Sequence, residues 1–228
     1  EYSSAASDVY KRQKLYRNNK NLSDMENFSI NGNEVVFGTI GDASTSEGHF
    51  WEAINACGVL QVPLIMSIWD DGYGISVPSE YHTTRNDLSK ALSGFQRSSK
   101  KENGYEIFTV HAWDYINLLK TYQKAEKLAR EDHVPCIIHV KDVTQPQGHT
   151  TSGSHERYKS KERLNWEKDF CCIKRMREWI IENNFASNSE IDIIEKNAEE
   201  IAKKSRDRSW KSYSCLLYTS DAADEYSG

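Results

Sequence analysis

Three acids stand in two short, small-residue stretches of this 228-residue chain. Asp42 lies in Gly41-Asp42-Ala43-Ser44, with Thr45, Ser46, Glu47 and Gly48 behind it, and the other two lie in Asp70-Asp71-Gly72-Tyr73-Gly74. Small residues let backbone amides approach an anion, and the N-terminus of a following helix adds a favourable dipole. Carboxylates beside such a turn would repel a phosphate unless a cation joined them. A hard divalent ion, Mg²⁺ or Ca²⁺, takes oxygens from carboxylates, carbonyls and phosphates alike. The residue types therefore point to a metal–diphosphate site, with Asp42 and Asp71 as carboxylate ligands and a backbone carbonyl near Tyr73 as a third. An ordinary α/β unit with acids in solvated turns has the same spacing, so spacing alone leaves both readings open.

The elements around these stretches place them at strand ends. An apolar run at Glu34–Ile40 leads into the first, and a second run, Val62–Trp69, leads into the other. Ser46–Leu60 between them predicts a helix, with Glu47 in its first turn and Phe50, Ala53, Ile54, Cys57 and Val59 inward. The order strand, loop, helix, strand, loop is a βαβ unit, and ligands of open parallel sheets bind beyond the carboxyl ends of the strands. The unbroken apolar character of Val62–Ile68 suits a strand covered on both faces. Tyr105–Val110 reads as a third strand. Asp114 caps a helix over Tyr115–Glu131, with Ile116, Leu119, Tyr122 and Leu128 in the core, and after Pro135 comes a fourth strand, Cys136–Val140. The predicted fold class is α/β, a mostly parallel sheet flanked by helices, with a helical C-terminal appendage. In that appendage Trp166, Phe170, Ile173, Met176 and Ile180 form one apolar stripe. Ser187–Ser189 caps a further helix with Ile191, Ile194, Ala198 and Ile201 inward. His139 reads as a hydrogen-bonded core residue, and His49, His82 and Arg85 as surface residues. The long polar loop Lys141–Tyr158 is of the length that often carries function.

The stretch Gly41–Ile75 resembles the thiamine-diphosphate motif of the 2-oxoacid dehydrogenase E1 family, α-subunit type. That motif opens with Gly-Asp-Gly and closes with Asn-Asn; this chain has Gly41-Asp42-Ala43 and Asp70-Asp71, flanked by STSEG at 44–48 and GYGIS at 72–76. The loop Gly148-His149-Thr150, with Tyr158-Lys159-Ser160 after it, is similar to the family's Gly-His-Ser and Tyr-Arg-Ser. The resemblance spans about residues 30–205. It implies thiamine diphosphate and Mg²⁺ as cofactors, with Asp42, Asp71 and Tyr73 on the metal. Gly41, Ala43, Ser44, Gly74 and Ile75 would lie along the cofactor, and His149 would be the polar residue at the active-site mouth. It implies oxidative decarboxylation of a 2-oxo acid with transfer of the acyl group to a lipoyl carrier. The implied partners are an E1 β part, separate or fused, that supplies a glutamate to the cofactor, and a lipoyl-bearing E2 in an oligomeric complex. A transketolase-class enzyme shares the motif, and a non-catalytic α/β binding domain is the other alternative, with the acidic closing pair in its favour.

The ends of the chain read differently. Ser3–Gln13 and Cys215–Asp224 can both be encoded by one oligonucleotide, the second by its reverse complement in another frame, and that oligonucleotide is similar to a sequencing-library adapter. The expectation is that residues 1–13 and 215–228 are non-native. Residues 14–160 are then the thiamine-diphosphate/Mg-binding domain, incomplete at its N-terminus, and 161–214 the appendage of a fragment that is inactive alone. A net charge of −5 leaves no nucleic-acid footprint. No apolar run approaches the roughly 20 residues of a membrane helix. The five cysteines have no metal-ligand spacing, which suits reduced thiols in a cytoplasmic, bacterial-type protein, with the mitochondrial matrix as the other setting.

Overall fold

The computed structural model describes residues 2–22, 25, 27–146 and 154–224. Two compact units divide the chain, residues 1–176 and 177–228.

Leu64–Trp69 is apolar at almost every position because both of its faces are covered. It is the second of four parallel strands: β1 (Val36–Gly41), β2 (Leu64–Trp69), β5 (Glu106–His111) and β6 (Cys136–Lys141), in the spatial order β1-β2-β6-β5. A two-stranded hairpin, β3 (Tyr73–Gly74) and β4 (Val77–Pro78), stands apart. The helices of the first unit are α1 (Tyr2–Asn18), α2 (Gly48–Leu60), α3 (Leu88–Ala91), α4 (Tyr115–Glu131) and α5 (Lys161–Asp169), and α6 (Cys172–Glu182) follows.

Side chains alternate across a strand, and the core divides accordingly. Leu64, Met66 and Ile68 of β2 and Ile137 of β6 pack with Phe50, Ile54 and Cys57 of α2. Ile65 of β2 and Cys136, Ile138 and Val140 of β6 pack with Ala125 and Ala129 of α4, joined by Leu118 and Tyr122. The sheet is thus parallel and flanked by helices. Asp114 caps α4, accepting a hydrogen bond from the Asn117 amide at 3.1 Å, as the sequence predicts.

Several inward assignments need correction. Val59 is exposed, because nine residues at 100° each carry it half a turn away from Phe50. In α4 the buried line is 118, 122, 125, 129, so Leu118 faces the core and Leu119 is exposed. The stripe expected from Trp166 to Ile180 is broken where α5 ends before α6, and Ile173 is exposed. Glu47 is not in the first turn of α2. It has extended backbone just before it, behind a short 3₁₀ turn at Ala43–Ser46.

The second unit is dominated by α7 (Asn188–Asp224). Its start is a capping box: the Ser187 hydroxyl accepts from the Glu190 amide at 3.3 Å, and the Glu190 carboxylate accepts from the Ser187 amide at 2.8 Å. Arg177 pairs with Asp192 and Glu195. Of the expected inward line Ile191 alone is buried, while Ile194, Ala198 and Ile201 are exposed.

Candidate functional site

Strand order brings the two acidic stretches together. β1 and β2 run side by side with Gly41 opposite Trp69, so their C-terminal ends deliver Asp42 and Asp70 to one place. The Asp42 amide donates to the Trp69 carbonyl and the Asp70 amide to the Val140 carbonyl, at 3.0 and 2.9 Å. A cleft of about 620 Å³ opens beyond these ends. Gly41, Asp42, Ala43, Ser44, Asp71, Tyr73, Gly74 and Ile75 all line it, with Glu47, Trp69, Val143 and Gln145. Those eight are the expected site residues apart from His149, which lies outside the described residues.

The three carboxylates have different surroundings. Asp42 is buried and its Oδ2 has no hydrogen-bond donor. Burial first, and then the charges of Asp70 and Asp71, push its carboxyl up to about 7. Asp71 spends Oδ1 on the Tyr73 amide at 3.1 Å. Asp70 takes the Gly72 amide on Oδ1 at 2.8 Å and His139 Nε2 on Oδ2 at 2.7 Å. Burial works against its charge, but the hydrogen bond and charge of His139, with hydrogen bonds from the Gly72 amide and the Asp42 side chain, outweigh burial and hold its carboxyl below the ordinary range. Asp70 and Asp71 are therefore not equivalent: Asp71 lines the cleft and Asp70 does not.

A buried carboxylate oxygen without a donor, with a second carboxylate beside it, fits a cation better than it fits solvent. Among the described residues no group of three or more His, Cys, Asp or Glu side chains forms a ligand cage. A cation here would need backbone and ligand oxygens as well, which suits Mg²⁺, since it is usually held by one or two carboxylates plus phosphates.

The hairpin after Asp71 closes tightly on the first loop. A Cβ at Gly74 would stand 2.9 Å from the Ala43 Cβ. Gly74→Ala is expected to cost about 1–3 kcal/mol by overpacking. Ala43→Gly in the same chain should return most of it, as a urea-unfolding cycle of the four proteins would measure. At the tip, Ile75 has a φ of 61°. A β-branched side chain is strained there, and such strain gathers at functional sites.

Basic residues at and just before α5 reach the acidic loop. Arg163 Nη2 donates to the Asp71 carbonyl at 2.8 Å and its Nε to Glu167 at 2.8 Å. Lys159, nearly fully buried, pairs with Glu167 at 2.8 Å and sits 4.9 Å from the centre of the Tyr73 ring. Arg163 and Glu167 show in the sequence only as an opposite-charge pair four residues apart on a helix. Lys159 lies where the family's Tyr-Arg-Ser basic residue falls, and it is packed in rather than free. His82 is half-buried, its ring beside the position a Gly74 side chain would take, and its Nε2 lacks a partner. His49 and Arg85 are exposed.

Residues 25–212 match the family described as Dehydrogenase E1 component. The chain belongs to that family. It is 27% identical over 172 residues to a pyruvate dehydrogenase E1 component subunit alpha of Rickettsia bellii, covering 75% of this chain and 50% of that one. It is 26% identical over 153 residues to the human mitochondrial 2-oxoisovalerate dehydrogenase subunit alpha, covering 66% of this chain and 32% of the relative. The chain thus spans about half the length of the first relative and a third of the second. A transketolase from Campylobacter jejuni overlaps 61% of this chain and 19% of that chain, with a TM-score of 0.44 and 17% identity. No helix among the described residues is long and apolar enough to cross a membrane.

Proposed function

We propose that this E1-family chain is the diphosphate- and metal-holding half of a 2-oxoacid dehydrogenase E1 active site. What supports this most is the convergence of eight residues from two loops, Gly41–Ser44 and Asp71–Ile75, on one cleft that contains an orphaned buried carboxylate oxygen. In this reading Asp42, Asp71 and the Tyr73 carbonyl would hold Mg²⁺, the amides of Ala43 and Ser44 would serve the diphosphate, and Gly74 and Ile75 would form the wall along the cofactor. His149 serves as a polar group at the mouth. Thiamine diphosphate, when bound, supplies an electron sink for loss of CO₂ from a 2-oxo acid, and the protein supplies binding, orientation and electrostatics. Arg163 holds the Asp71 carbonyl in place. The strained tip at Ile75 presents an apolar side chain where water has to be kept out.

The substrate class is a 2-oxo acid. The partners are an E1 β part, which completes the site with an acid for the cofactor ring, and a lipoyl-bearing E2 that takes the acyl group. The chain by itself is expected to have little or no turnover.

Calorimetric titration with thiamine diphosphate, with and without Mg²⁺, tests the reading. Binding that requires Mg²⁺ and is weakened at least about tenfold by Asp71→Ala supports it. Binding indifferent to metal, or to the loss of Asp71, overturns the assignment of the acids.

A further inference from the structure

The acid at position 70 is tied into a line of side chains that runs away from the cleft. His139 of β6 is fully buried. Its Nε2 meets Asp70 Oδ2 at 2.7 Å, its Nδ1 meets Ser89 Oγ at 2.6 Å, and Ser89 Oγ meets Thr109 Oγ1 at 2.8 Å. A carboxylate can only accept, so Nε2 carries a proton and donates to Asp70. The serine hydroxyl serves Nδ1 in either role, which closes the line without leaving a polar atom over. The backbone of Asp70 is committed as well: its amide goes to Val140 and its carbonyl receives Val143. Both carboxylate oxygens and both backbone polar groups of Asp70 thus have partners in the protein, and Asp70 does not line the cleft, while its neighbour Asp71 does. The line has the order of a Ser–His–Asp triad, but its histidine has no exposed surface for a substrate, so hydrolytic chemistry does not fit it.

We infer that His139 is a positioning residue for the cofactor site, matched to the acidic closing pair: by holding Asp70 inward it turns Asp71 and the Tyr73 carbonyl toward the cleft. The role rests on the cofactor reading above. An amide at position 70 could bond itself to its neighbours without a charged partner. An acid there needs donors on both oxygens: the Gly72 amide serves Oδ1, and strand β6, seated beside β2, brings His139 to Oδ2. Loss of a group that orients metal ligands commonly costs about 10–100-fold in metal affinity, and His139 would act in that way through Asp70, the neighbour of Asp71.

The experiment is a titration of the full chain with thiamine diphosphate in Mg²⁺, with a thermal melt of each variant in the absence of cofactor. His139→Leu should weaken binding by about tenfold or more. His139→Gln, whose amide reproduces the Nε2 donor, should stay within about threefold of wild type, and Asp70→Asn added to His139→Leu should recover most of the loss. If His139→Leu does not fold, His139→Gln and His139→Asn decide, because Asn reproduces only the Nδ1 side: Gln should bind more tightly. Equal affinity in all folded variants, with the wild-type chain binding, overturns the positioning role and leaves the cofactor reading standing. A wild-type chain that takes no thiamine diphosphate at any Mg²⁺ concentration overturns the cofactor reading, and the positioning role with it.

Discussion

In metal-free buffer at pH 8, the Asp42→Asn chain is expected to be more stable than the wild type by about 1–3 kcal/mol, and it should no longer bind thiamine diphosphate with Mg²⁺. The two effects have one cause. Asp42 is buried with an oxygen that no donor reaches, next to the charges of Asp70 and Asp71. Without a cation its charged form is unfavourable in the fold. An amide of the same shape carries no charge and can donate to Asp70, so the repulsion goes. In the proposed site the same carboxylate would be a cation ligand, for which the amide is a poor replacement. Function and stability therefore pull the residue in opposite directions, as they often do at sites.

The pH dependence follows from the same group. Its folded-state carboxyl is raised from 3.8 to about 7, so the folded chain holds a proton that the unfolded chain releases near pH 4. Between those values the folded state binds more protons, and the metal-free stability contributed by this group falls as pH rises from about 4 to 7, then levels off. Urea midpoints across pH 4–8 measure the trend. The wild-type chain should lose stability relative to Asp42→Asn over that interval, and Mg²⁺ with thiamine diphosphate should reverse the order at pH 8. A difference between the two proteins that does not change with pH would contradict the burial argument.

Glu167→Leu is expected to cost about 3–5 kcal/mol, the usual result of removing one partner of a buried ion pair. Lys159 has a side chain only 1% exposed and Glu167 one 5% exposed, so the ammonium would be left in the interior without its carboxylate. Lys159→Met combined with Glu167→Leu should regain most of the loss, because replacing both charges removes the stranded one. A urea cycle over the four proteins gives the coupling. The same change should reach the cleft. Glu167 also anchors Arg163, and Arg163 donates to the Asp71 carbonyl. Thiamine diphosphate affinity should therefore fall in Glu167→Leu even at temperatures where the protein is fully folded.

The local chemistry of the chain was legible from its order of residues. An all-apolar run had to be a strand covered on both faces, an aspartate before an amphipathic stretch had to cap a helix, and glycines with acids at strand ends had to make turns. Those are effects of neighbours within a few positions, and β2, α4 and the two acidic loops emerge where they were read. The helical faces were read less well. Val59 and Leu119 are one or two positions from buried residues, and an apolar side chain one step round a helix is equally apolar but points to solvent.

The order of residues places three acids in turns after strands. The surroundings of each acid come from the packing of distant elements. His139 reaches Asp70 across 69 positions and Arg163 reaches the Asp71 carbonyl across 92. The first contact depends on β6 taking its place between β2 and β5 and the second on where α5 packs, and no local pattern encodes either. That strand order buries Asp42 without a donor, turns Asp70 inward to a histidine and leaves Asp71 in the cleft. The physical reason is that charge and burial are set by everything packed around a group, while turn and helix propensities are set by the few residues beside it.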